Sequence, residues 1–140
     1  MKILDLLTEK RITGNIGEDA VCKLLRKKHY KIIERNYVQS GHEIDIIAEN
    51  KEFICFVEVK TRSRKAISAL EGRPAAAVTP QKQRSIISAA SVFSAINSGK
   101  KKFRFDVAEV YLDDSKKVDE IVYLEGAFNC NTAYQTQHKY

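Results

Sequence analysis

Along NIGEDAVCKLLRKKH (15–29) the apolar positions Ile16, Ala20, Val21, Leu24 and Leu25 recur at helical spacing. Lys and Arg collect in the last turn, where the helix dipole favours cations. The period then switches. YKIIERNYV (30–38), HEIDIIA (42–48) and EFICFVEVK (52–60) are rich in β-branched and aromatic residues, and QSG and ENK separate them. They predict an antiparallel meander of three strands. EGRP breaks the stretch 61–78, and Thr79-Pro80 then supplies a cap followed by Pro at the first helical position. The helix that starts there carries Ile86, Ala90 and Phe93 on one stripe and stops at Ser-Gly near residue 98. A strand follows at 102–112, then a turn at DDSKK and a short strand at DEIVYL. The closing NCNTAYQTQHKY is polar and without period.

The predicted order is α-β-β-β-α-β with the short strand at DEIVYL as an extra one, an α/β domain. A helix linking the third and fourth strands crosses over and packs on the sheet, giving a mixed sheet flanked by helices. The length suits one domain: a folded unit over 14–128, an N-terminal arm over 1–13 and a polar tail over 129–140.

Composition narrows the class. Apolar content of 44% and charged content of 30% describe a soluble globular protein. No apolar run approaches a membrane span, and MKILDLLTEKR carries acids without a small-residue cleavage site, so a cytoplasmic location is expected. Cys22, Cys55 and Cys130 are far apart and form no CxxC pair, which supports neither a disulfide framework nor a zinc site. The net charge of +6 is unevenly placed: residues 60–105 hold eleven Lys or Arg against Glu71 alone. A basic middle third suggests nucleic acid as the partner, though a solvated surface with a basic loop gives the same count.

Within FVEVKTR (56–62), Glu58 and Lys60 interrupt an apolar run two residues apart, and so share a strand face. Asp45 likewise sits among Ile44, Ile46 and Ile47. A hairpin loop centred on Lys51–Glu52 makes Asp45 and Glu58 direct neighbours, one on Asn50–Lys51 makes them diagonal, and an odd-length loop separates their faces. Facing carboxylates repel, and water or a cation relieves them. Mg²⁺ or Mn²⁺ takes such oxygen ligands with few protein carboxylates, and turns water into a nucleophile for phosphodiester hydrolysis. Lys60 would add a compact positive charge. Glu18 borders the buried stripe of the first helix, and docking that helix on the sheet brings it towards the pair. Glu43 lies two residues before Asp45 on the same face. Lys82 stands near a helix N-terminus, where backbone N–H groups favour phosphate. The same spacings equally describe a half-solvated strand with an ion pair, an acid answering a helix dipole and a surface lysine.

GNIGE leading a helix, ERNY, GHEIDIIA, FVEVKTR, TPQKQRSIISAA, RFDV and a late GAF follow in that order over residues 14–128. Together they resemble the YraN-like family of bacterial proteins, assigned to the PD-(D/E)XK nuclease superfamily and similar in fold to archaeal Holliday-junction resolvases. The resemblance implies a restriction-endonuclease-like core and Mg²⁺- or Mn²⁺-dependent cleavage of DNA, with branched DNA as substrate by fold analogy. By position, Asp45 and Glu58 match the metal-binding acids, Lys60 the catalytic lysine and Glu18 the acid of the first helix. Lys82 matches a basic residue of the second helix, and with Arg62 and Arg84 it makes the expected nucleic-acid-binding set. Asp106 matches a further family position without an assigned role. A homodimer would suit a two-fold junction. His42 and His29 stand where the family has Gly, and ISALEGRPAAA departs from its usual connection. Two other readings fit the same residues: a nuclease fold that grips nucleic acid without cutting it, and a scaffold domain whose charged strand face is solvated.

Overall fold

The structure, a computed structural model, describes residues 2–64, 78–97 and 99–134. The described elements run α1 (Ile3–Lys27), β1 (Lys31–Gln39), β2 (His42–Glu49), β3 (Phe53–Ser63), α2 (Pro80–Ile96), β4 (Lys102–Leu112), β5 (Val118–Phe128) and α3 (Cys130–Tyr134). The strands form one sheet in sequential order, antiparallel except for the parallel pair β3–β4. That parallel pair needs a crossover, and α2 lies within it. The mixed α/β sheet matches the expected order, with the strand expected at DEIVYL as its fifth, and is compatible with a restriction-endonuclease-like fold. The EGRP break, with the rest of ISALEGRPAAA, lies outside the described residues.

Local chemistry sets the meander. Ser40 and Gly41 have φ of 51° and 80°, the two positive values of a type I′ turn whose twist suits a hairpin. In the next turn Asn50 Oδ1 accepts from the N–H groups of Glu52 and Phe53 at 2.9 and 2.7 Å. This centres the loop on Lys51–Glu52 and fixes the register at Ile46↔Val57. β3 is covered on both faces, which explains its unbroken apolar run. Cys55 and Val57 meet Val21, Cys22 and Leu25 of α1. Phe56 faces α2, edge-on to Phe93 at 6.0 Å and stacked on Phe105 at 5.5 Å.

Helix α2 begins as read, with Thr79 Oγ1 accepting from Lys82 N–H at 3.1 Å. Helix α1 is longer than its pattern suggested. Residues 3–13, read as an arm, are helical and continuous with the rest, and Ile3, Leu4, Leu6 and Leu7 remain exposed. The helix ends at His29, φ 66°, with Tyr30 N–H donating to Leu25 O and His29 N–H to Arg26 O. Those two bonds make a Schellman motif with His in the left-handed position usually given to Gly. At the other end of the chain, Cys130–Tyr134 forms a short helix whose Ala133 is buried against α2. Part of the segment read as a polar tail is therefore packed.

β5 is also longer than DEIVYL, because a bulge carries it past Gly126 (φ 59°) to Phe128. Asp106, fully buried, holds that bulge by accepting from Gly126 N–H at 2.9 Å. It also takes two bonds from Arg104, each 2.9 Å, and one from the Tyr123 hydroxyl at 2.6 Å. RFDV and GAF are thus two halves of one structural lock. Asp106→Ala should lower stability by about 3–5 kcal/mol, since it strands a buried guanidinium. Urea unfolding monitored by circular dichroism measures this, and a loss no larger than that of a surface substitution would contradict the lock.

Candidate functional site

The β2–β3 ladder runs from Glu49↔Ile54 to Ile46↔Val57 and stops. One step further Asp45 comes across from Glu58. There the Val59 N–H donates to Asp45 Oδ2 at 2.8 Å, a side chain standing where a ladder would offer a carbonyl. Strand alternation breaks at the same point: Ile44 joins the core under α2, whereas Ile46, two residues on, joins the core under α1. The cause lies on β1. Asn36, flanked by the pairs Arg35↔Ile46 and Tyr37↔Ile44, has φ 52° and so reverses the pleat opposite Asp45. Asn is among the few residues that adopt this conformation readily. Asp45 consequently lines a cleft on the α1 side, together with Glu18, Val59 and Thr61.

Glu18 reaches the cleft because α1 lies very close to β3. A Cβ on Gly17 would sit 1.8 Å from Thr61 Oγ1, so only glycine permits this approach. The Glu18 carboxylate lies 3.3 Å from Arg35 Nη2, and Arg35 Nη1 is 2.8 Å from Asp19. In the amide orientation that satisfies its neighbours, Asn36 donates to Glu18 Oε1 and Glu43 Oε1, each at 3.1 Å. One residue therefore bends the strand and ties α1 to β2.

The acids are under-compensated. Burial, then the Glu58 charge, pushes the Asp45 carboxyl up to about 7, with the Val59 N–H opposing. Glu18 is also raised, by burial and then by Asp45, and its bonds to Arg35 and Asn36 do not reverse this. Glu58 is 5% exposed, with Oε1 3.5 Å from Lys60 Nζ. Its Oε2 is buried without a hydrogen-bond partner. An unpaired carboxylate oxygen facing a second crowded acid is a donor set that fits a hard divalent cation. Among the described residues no three His, Cys, Asp or Glu side chains are arranged to hold a metal by themselves. Mg²⁺ is usually held by one or two protein carboxylates completed by water and substrate oxygens.

Lys60 and Arg62 follow Glu58 on β3, both half-buried. Lys60 is registered against Glu109 of β4, 2% exposed, whose carboxylate accepts from the Tyr111 hydroxyl. Lys82 is half-exposed in the first turn of α2. Arg84 donates to Ala133 O at 3.0 Å and lies 5.9 Å from the Tyr134 ring centroid. Arg35, Asn36, Gly17 and Glu109 were not singled out from the sequence. ERNY and GNIGE contain the first three, and an Asn inside a strand pattern was the available signal.

A family model described as "Uncharacterised protein family UPF0102" matches residues 17–110. A UPF0102 protein of Acetivibrio thermocellus is 42% identical over 125 residues, covering 85% of this chain and 92% of the relative. One from Chlorobium phaeobacteroides is 45% identical over 102 residues, covering 72% and 78%. One from Caldanaerobacter subterraneus is 40% identical over 121 residues, covering 85% and 96%. No helix among the described residues is long and apolar enough to cross a membrane.

Two measurements probe this geometry. The raised Asp45 and Glu18 bind protons more tightly folded than unfolded, so metal-free stability should fall as pH rises from about 4 through 7. Thermal melts in chelator should show that fall in the wild type and a flatter profile in Asp45→Asn. Asn36→Gly keeps the backbone reversal, while Asn36→Ala does not. The alanine variant should be the less stable of the two by roughly 1–2 kcal/mol. Equal melting points would remove the reversal from the account.

Proposed function

This chain belongs to the uncharacterised protein family UPF0102, and we propose that it is a Mg²⁺- or Mn²⁺-dependent nuclease acting on DNA phosphodiesters, built on the PD-(D/E)XK plan. The observation that carries the reading is the meeting of Asp45 and Glu58 where β2 and β3 part. Lys60 Nζ lies 3.5 Å from Glu58 Oε1 there, and Glu58 Oε2 is left without a partner. A merely solvated strand face would not bury Glu58, which argues against the scaffold reading.

Asp45 and Glu58 would hold the cation, with Glu18 assisting directly or through water. The cation supplies Lewis acidity, polarising the scissile phosphate and making water nucleophilic at neutral pH. The chain's own groups do the rest. Val59 N–H orients the Asp45 carboxylate from the backbone, so the ligand does not depend on a flexible partner. Lys60, steadied by Glu58 and running beside buried Glu109, presents its ammonium to a phosphate oxygen and to the developing charge. Arg35 and Asn36 hold Glu18 at the edge of the cleft. Lys82 and Arg62 would meet the DNA backbone, fixing register without reading sequence. Cytoplasmic DNA with branch points, approached by a two-fold dimer, is the substrate that fold analogy favours.

Calorimetric titration of Mn²⁺, with and without DNA, tests the reading. Asp45→Asn and Glu58→Gln should each weaken binding on the order of a hundredfold, about 2.7 kcal/mol. Lys60→Ala should keep metal binding and lose roughly 10²–10³ in cleavage rate. DNA binding with no cleavage by either metal would leave a binding module. Failure to bind metal even with DNA present would end the nuclease reading.

A further inference from the structure

The cleft lined by the Asp45 and Glu18 carboxylates measures about 540 Å³. Its floor includes Asp45 and Thr61, and its wall is the overhanging first half of α1, with Leu6, Lys10 and Gly14. We propose that this cleft receives a single nucleotide, unstacked from its strand, beside the scissile phosphate. The preferred DNA is then single-stranded, frayed or branched rather than continuous duplex. The inference rests on the nuclease reading above and adds the substrate's form.

Three observations carry it. The cleft is closed on one side by a helix and on the other by the sheet, and its volume falls in the roughly 300–1,000 Å³ range of small-ligand sites. A duplex keeps its bases inside and presents groove edges and phosphates, so reaching into such a cleft requires a nucleotide to leave the stack. The lining is also mixed in the way a nucleotide is. Leu6, 47% exposed, offers an apolar surface to a base, while Lys10 and the Thr61 hydroxyl suit phosphate and sugar. Contacts that grip intact duplex go mostly to phosphates and sugars, and gain nothing from an apolar wall. Glu9 adds an anion to that wall, which suits an amino-bearing base edge better than a phosphate.

The third observation is Gly14. Unlike Gly17, it is not demanded by packing: a Cβ there would meet nothing within 4 Å. Glycine weakens a helix, so its presence at this point of α1 costs stability and leaves room in the cleft.

The chain contains no tryptophan, so Leu6→Trp places a lone indole in the cleft as a reporter. With Ca²⁺ in place of Mg²⁺, so that the cation site is filled while the DNA is not consumed by cleavage, three labelled DNAs of equal length would be titrated: a single strand, a splayed-arm duplex and a blunt duplex. Anisotropy of the label gives the bound fraction. The single strand and the splayed duplex should quench the indole, and the blunt duplex at equal occupancy should not. Gly14→Leu, which fills the cleft, should weaken the first two by about tenfold or more and leave the blunt duplex unchanged. Wild-type anisotropy should give the same order of preference without either substitution. Equal quenching by all three DNAs, or an equal loss for all three in Gly14→Leu, would overturn the cleft assignment and leave the nuclease reading standing. Absence of binding to any of them would remove both.

Discussion

One hydrogen bond, from Val59 N–H to the Asp45 carboxylate, decides what this sheet can do. Had the ladder continued beyond Ile46↔Val57, Asp45 would have kept the parity of Ile47 and pointed into the aromatic core under α2. The carboxylate instead takes the place of a backbone acceptor, the two strands part, and the acid opens towards α1. The left-handed Asn36 on the neighbouring strand makes the turn possible. The close contact of Gly17 with Thr61 then brings the Glu18 carboxylate to the same opening. Strand, hairpin and helix are thus aligned by a departure from regular structure.

Two kinds of carboxylate in this molecule show how donor count separates architecture from chemistry. Asp106 is fully buried yet saturated by bonds from Arg104, Tyr123 and Gly126, and it locks the β5 bulge. Asp45 has one backbone donor and an adjacent acid, so its proton is held up to about 7. Glu58 Oε2 is buried with no donor from the backbone or a basic side chain, only the neighbouring Asp45 carboxyl. Leaving such groups short of partners costs stability, and function is the usual reason the cost persists. Arg35 and Asn36 limit that cost at Glu18 without cancelling it.

Much of this was legible in the residues. The breaks at QSG and ENK, the Thr79-Pro80 cap and the apolar run of β3 placed the elements. The hairpin register stayed open among three loop geometries until the Asn50 turn settled it. Asp45, Glu58 and Lys60 stood out as charges set among aliphatics, and Glu18 as an acid bordering the apolar stripe of the first helix. What stayed hidden depended on contacts distant in sequence. The reversal at Asn36 breaks the parity rule that relates Asp45 to Glu58, and nothing in a period of two announces it. The bulge at Gly126 exists because Asp106 holds it from another strand, so polar Glu125 and Gly126 read as an end. The first turns of α1 looked like an arm because the recognisable motifs begin at residue 14, and the structure leaves their apolar residues exposed. Counting charges in the basic stretch also could not show that the Arg84 guanidinium meets Ala133 O and the Tyr134 ring.

The parallel pairing of β3 with β4 has a consequence for assembly. It can close only after the chain returns from Ser63 to Lys102, whereas the meander from Lys31 to Ser63 is built from near neighbours. Contacts of short sequence separation form before long loops close, so the meander belongs to the low-contact-order part of the fold. Asp45, Glu58 and Lys60 all lie within it. The entropy of a closing loop grows only with the logarithm of its length. The connection between β3 and α2 can therefore lengthen, shorten or change composition across relatives without disturbing the spacing of the charged trio. In evolutionary terms the chemistry is stored locally, and the long crossover is free to be rewritten.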